Sequence, residues 1–287
     1  MFSSLKLGKF FGIDLYVHAT FWLLPLIVLL SGLMTGGGVE AIAEDLAFLF
    51  AIFGCVVLHE VGHALAAKAY GIGTRDITLY PVGGVASLEH MPEKPGREIA
   101  IALAGPAVNL VIAVALLGGL FLGQVLTPLP THFSELSTVD AFLARLLAAN
   151  LVLALFNLLP AFPMDGGRVL RAILATWMTR LRATEAAVAV GSVVAVGFAA
   201  FGLLIPNLAL VAVAVVVFLL GQAELAAVRV QTAAREWGRV AAELFSPLEP
   251  LPVVPPVGRG FTGLVWDAGR RVWLQYQDGE VVRVIDT

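Results

Sequence analysis

"CVVLHEVGHALAAK", residues Cys55–Lys68, ends a long apolar run and carries two histidines and a glutamate just before its first lysine. Ionisable groups are costly in hydrocarbon, and where they occur inside an apolar span they usually mark function. The run reads as a membrane helix, and the whole chain agrees. Of its 287 residues 59% are hydrophobic and only 14% charged, against roughly 45–50% and 25% in a soluble domain. The expected class is therefore an all-α, multispan membrane protein.

A helix needs about 20 apolar residues to cross the hydrocarbon. Six candidate spans follow: Val17–Met34, Leu46–Ala67, Ile99–Leu122, Ala141–Leu159, Ala183–Leu204 and Leu208–Val228. The last two are separated only by Ile205, Pro206 and Asn207, which reads as a helical hairpin. Lys6 and Lys9 precede the first span as in a signal sequence, but no small-residue cleavage site follows, so that span reads as retained. Six spans leave residues 1–16 as a short N-terminal segment and 229–287 as a tail on the same side. Every lysine and arginine except Arg145 falls on that side, whereas Glu40, Glu44, Asp45, Glu135 and Asp140 face the other. The positive-inside rule then places both termini in the cytoplasm of a cell-membrane protein. No basic tract points to nucleic acid. A single cysteine, Cys55, excludes an intrachain disulfide and a cysteine-based zinc site.

Two segments do not read as spans. Residues 78–88, "TLYPVGGVASL", suggest a hairpin-like excursion. The tail from Ser246 opens with a proline-rich linker and ends in "VWLQYQDGEVVRVI", where Asp278-Gly279 between alternating runs signals a short hairpin.

Residues four apart share one face of a helix. His59 and His63 can therefore offer two imidazoles to one metal ion, with Glu60 beside them and free of the metal. A zinc ion lowers the pKa of a bound water to about 7 and polarises a carbonyl, and a neighbouring carboxylate moves the proton. The pattern implies a zinc peptidase. Chance gives on the order of 0.004 such matches in a chain of this composition, too few to favour two histidines merely satisfied by packing. His18, His90 and His132 lack the spacing and read as interface or loop residues. The motif lies five to nine residues before Lys68, roughly 8–13 Å inside the cytoplasmic interface at 1.5 Å per residue. Water must reach it through a polar cavity.

A catalytic zinc usually has three protein ligands and a water. "FNLLPAFPMDGGRVLR", residues 156–171, ends the fourth span on the same side. Pro160 and Pro163 break that helix and Gly166-Gly167 allow a tight turn. Asp165 is thereby either a third ligand or the N-cap of a following helix. Cys55 shares the face of His59 but reads as a small buried hydrophobe, since a fourth protein ligand would close the position that water needs. Arg168 and Arg171 read as interfacial anchors.

HEVGH in an early span, with N-x-x-P-x-x-P-x-D-G-G-R in a later one, resembles the site-2 proteases, a family of intramembrane zinc metalloproteases. The resemblance covers roughly residues 5–230. It implies that His59, His63 and Asp165 bind one zinc ion and that Glu60 is the catalytic acid and base. Asn157 matches the asparagine of the second motif and would bond the substrate backbone or the developing oxyanion. "LAGPAVN" resembles a further family motif, with Gly105 allowing close helix approach, Pro106 kinking the span and Asn109 bonding across helices. The segment around Pro81–Gly84 is similar to the family's membrane-dipping hairpin, whose strand edge would hold an unwound substrate. No stretch is long enough for a PDZ insertion, and 42 residues from Ser246 are too few for a pair of CBS modules; the chain looks like a compact, sporulation-type member. The implied substrate is a membrane-embedded protein, such as a sigma factor precursor or anti-sigma factor, with a membrane-bound regulator as a further partner. The rival classes are a metal-ion transporter and a catalytically silent homologue that binds membrane segments.

Overall fold

The computed structural model describes residues 4–90, 92, 94–126, 138–244, 260–267 and 269–286. These fall into two compact units, Met1–Arg229 and Val230–Thr287.

The first unit opens with strands β1 (Ser4–Phe10) and β2 (Ile13–His18) and a 3-10 turn, Ala19–Trp22. Helices α1 (Leu23–Met34) and α2 (Val39–Ala69) lead to strands β3 (Thr74–Tyr80) and β4 (Gly83–Leu88). Then come helices α3 (Pro95–Leu126), α4 (Thr138–Asn157), α5 (Asp165–Leu174), α6 (Arg180–Leu204) and α7 (Leu208–Leu244), the last running on past Arg229. The five long helices α2, α3, α4, α6 and α7 are long and apolar enough to cross a membrane.

Two expectations change here. The expected first span, Val17–Met34, is divided: Val17 and His18 finish a strand, and the α-helix that follows has only 12 residues. Residues of the short N-terminal segment and of the hairpin at 78–88 belong to one four-stranded sheet, ordered β1-β2-β3-β4. The β2–β3 pair is parallel, with Asp14 opposite Asp76 and Val17 opposite Leu79. Parallel neighbours need a long crossover, which α1 and α2 supply. Ile13 and Ile77 pack on Val61 and Ala64 of α2, and Val17 and Leu79 pack with Phe21 and Phe53. The sheet therefore lies along the part of α2 that carries the histidines, and β4 is one of its two edge strands.

Helix α3 covers another face of α2. Gly62 faces the Val108 side chain and the Ala104 carbonyl, with no room for a Cβ, a close approach of the kind small residues allow between membrane helices. Helix α4 stops at Asn157, and the link to α5 is compact. A Cβ at Gly166 would meet the Leu158 and Leu159 carbonyls, and one at Gly167 would meet Ala161.

Arg171 is not an interfacial anchor. It is 1% exposed, donates through Nε to Glu98 at 2.9 Å, and pairs through its terminal nitrogens with Glu98 and Glu224. Its guanidinium lies over Phe162, and Arg180 also reaches Glu98. One buried cation thus ties α5 to α3 and α7. Removing one member of a buried pair leaves an uncompensated charge, a loss of about 3–5 kcal/mol. Arg171→Met is expected to lower the thermal midpoint in detergent sharply, and Arg171→Met with Glu98→Gln to recover part of the loss; differential scanning fluorimetry reads both.

The second unit carries a three-stranded antiparallel meander of β5 (Gly263–Asp267), β6 (Val272–Gln277) and β7 (Glu280–Asp286). Asp278 and Gly279 turn between β6 and β7 with φ of 54° and 87°, both left-handed as a two-residue hairpin of this type requires. Most of the proline-rich linker, and His132, lie outside the described residues.

Candidate metal centre

His59 and His63 sit one turn apart on α2, both buried, and Asp165 comes to them as the buried first residue of α5. His59 Nε2 and His63 Nε2 are 3.1 Å apart. Asp165 Oδ2 lies 3.1 Å from His63 Nε2 and 3.2 Å from His59 Nε2. The three atoms make a near-equilateral triangle. A tetrahedral ion bound at zinc–ligand lengths would hold its donors roughly 3.3 Å apart.

The far sides of both rings define the chemistry. His63 Nδ1 meets the Ile101 carbonyl at 2.7 Å. A carbonyl only accepts, so Nδ1 carries the hydrogen and Nε2 presents a lone pair. His59 Nδ1 meets Asn109 Oδ1 at 2.5 Å, with the same result. Two lone pairs and a carboxylate oxygen therefore converge with no hydrogen between them, an arrangement that a cation satisfies. Among the described residues this is the one group of three metal-ligating side chains. A Cβ on Gly105 of α3 would press on Nε2 of both histidines. Gly105→Ala is expected to lower bound metal at least tenfold, measured by elemental analysis of monodisperse protein, with its helix content unchanged.

Glu60 faces the other way, toward the sheet. Its Oε2 accepts from the Ala86 N–H of β4 at 3.1 Å, and Gly84 leaves room for its side chain. A cavity of about 510 Å³ joins the histidines, Glu60 and Asp165 to β4 residues, Asn157 and Arg168. Asn157 donates to the Leu153 carbonyl of its own helix at 2.9 Å, which leaves its oxygen and one hydrogen for the cavity. Arg168, expected as an anchor, is half-buried on the cavity wall. Cys55 is buried and meets the side chain of Asn150 at 3.3 Å, away from the ligand triangle. His18 bonds Thr20 and stacks on Tyr80. Asn150, not singled out from the sequence, lies behind Asn109; a lone amide in an apolar helix was its signal.

A buried His-His-Asp triangle that could hold a metal ion thus sits among helices long and apolar enough to cross a membrane, with the Glu60 carboxylate of α2 turned toward strand β4. The Peptidase family M50 model matches residues 47–139 and 124–201, and the chain belongs to that family. It is thus a multi-pass membrane protein of the site-2 protease type. It is 35% identical over 231 residues to a zinc metalloprotease of Methanocaldococcus jannaschii, covering 80% of this chain and 62% of that one. It is 38% identical over 182 residues to a putative zinc metalloprotease of Synechocystis, covering 61% and 45%. The solved site-2 protease from Methanocaldococcus jannaschii superposes with a TM-score of 0.57 at 34% identity, over 77% of this chain and 95% of that one. The chain spans about half to three-fifths of the length of these two curated relatives.

Proposed function

We propose that the protein is an intramembrane zinc endopeptidase. It would cut a peptide bond in or beside a transmembrane helix of another membrane protein and release a cytoplasmic fragment. The observation that carries this reading is the donor triangle of His59, His63 and Asp165 opening on the cavity that Glu60 lines. Zinc held there would act as a Lewis acid toward the scissile carbonyl and lower the pKa of the attacking water.

The chain's own groups do the rest. Glu60 takes a proton from the water as its oxygen adds to the carbonyl carbon, then delivers that proton to the amine nitrogen as the C–N bond breaks. Asn157 and Arg168 present donors to the cavity, where negative charge develops on the carbonyl oxygen. Edge strand β4 binds the substrate. A membrane helix hides its carbonyls in hydrogen bonds, so it must unwind, and an extended segment can pair with a free strand edge. The Ala86 N–H points away from β3, toward Glu60. By strand alternation Gly84 and Leu88 share that side. Proline is tolerated on an edge strand but removes a donor. Ala86→Pro is expected to lower kcat/KM about tenfold or more with zinc content unchanged; parallel loss of both would mean misfolding.

The charge distribution supports cytoplasmic termini, and the implied substrates are sigma factor precursors or anti-sigma factors under a membrane-bound regulator. The test is cleavage of a candidate membrane substrate by purified protein in detergent with zinc. Transport of the metal without cleavage would favour the transporter, and binding of the substrate without cleavage the silent homologue.

A further inference from the structure

We infer that Asn150 is a positioning residue for the metal centre: through Asn109 it fixes which nitrogen of His59 faces the ion. The inference rests on the zinc reading above. Asn150 lies on α4, 0% exposed, and touches none of the three ligands. Its Nδ2 donates to the Leu146 carbonyl at 2.9 Å and to Cys55 Sγ at 3.3 Å. Its Oδ1 accepts from Asn109 Nδ2 at 3.0 Å. Asn109 Oδ1 in turn accepts from His59 Nδ1 at 2.5 Å.

The orientation of every member follows from the first. The Leu146 carbonyl can only accept, so Asn150 must present its amino group there. A flipped amide would set two oxygens against each other. Asn150 then has only its oxygen for Asn109, and Asn109 must answer with its amino group. That leaves Asn109 its oxygen for His59, so the imidazole carries its hydrogen on Nδ1 and its lone pair on Nε2. His63 obtains the same state from a backbone carbonyl that cannot flip. An asparagine can flip, because its two ends are nearly the same size. His59 therefore needs a second amide behind the first, and α4 supplies it. Partners of this kind typically change metal affinity 10–100-fold when removed.

Asn150→Leu removes the pin at similar volume. Zinc affinity is measured by competition with a chromogenic chelator, on monodisperse detergent-solubilised protein, with no substrate present. Wild-type protein is expected to bind one zinc, and Asn150→Leu to bind it about tenfold more weakly. The discriminating background is Asn109→Ala. With no amide left for Asn150 to orient, adding Asn150→Leu there should change affinity less than about twofold. Asn150→Ala replaces Leu if the larger side chain prevents folding. Unchanged affinity in the single variant, or a further tenfold loss in the Asn109→Ala background, overturns the inference and assigns Asn150 to packing alone. Failure of the wild-type protein to bind zinc would instead overturn the zinc reading itself.

Discussion

Asp165→Ala protein, purified and equilibrated with zinc, is expected to hold less than about one-hundredth of the wild-type affinity and to cleave no substrate. A catalytic zinc is held by three protein ligands; without Asp165 two imidazoles remain, both from one helix turn. Asp165 also supplies the one negative charge in direct contact with the two Nε2 atoms. Its place at the first position of α5 favours an anion, since the helix N-terminus is electropositive. A hundredfold loss is about 2.7 kcal/mol, at 1.4 kcal/mol per factor of ten. The backbone should tolerate the change, because Met164, not Asp165, is the N-cap residue and makes no side-chain cap. Isothermal titration with zinc and circular dichroism on the same sample separate lost binding from lost fold.

The second large effect is at Glu60. Glu60→Gln keeps the shape and an oxygen for the Ala86 N–H, but cannot take a proton from water. General acid–base catalysis contributes typically 10²–10⁴-fold, so kcat is expected to fall by about that much with zinc stoichiometry unchanged. The contrast between the two variants carries the argument. One loses metal and activity together; the other loses activity alone. Cleavage by Glu60→Gln at the wild-type rate would remove Glu60 from the mechanism.

How far these roles were legible depends on sequence distance. The His59-Glu60-His63 spacing is local: helix geometry alone puts the two imidazoles together. Asp165 is 102 residues from His63, so the residues alone left it either ligand or cap, and the resemblance made the choice. The sheet was harder. Val17 pairs with Leu79 across two helices, and nothing near Val17 announces a parallel partner. An apolar count therefore ran straight through the strand end into α1. Arg171 escapes sequence reading for the same reason. An arginine at a helix end looks like an anchor until Glu98 and Glu224, 73 and 53 residues away, close around it. The five long helices, by contrast, announce themselves through continuous apolar stretches that need no partner to be recognised.

The most direct test is anomalous diffraction at the zinc edge from crystals of the zinc-loaded protein. One peak is expected per chain, about 2.0–2.2 Å from His59 Nε2, His63 Nε2 and an Asp165 carboxylate oxygen, with Glu60 outside bonding distance. A zinc peak elsewhere, or one at the histidines with the Asp165 carboxylate turned away from it, would contradict the account.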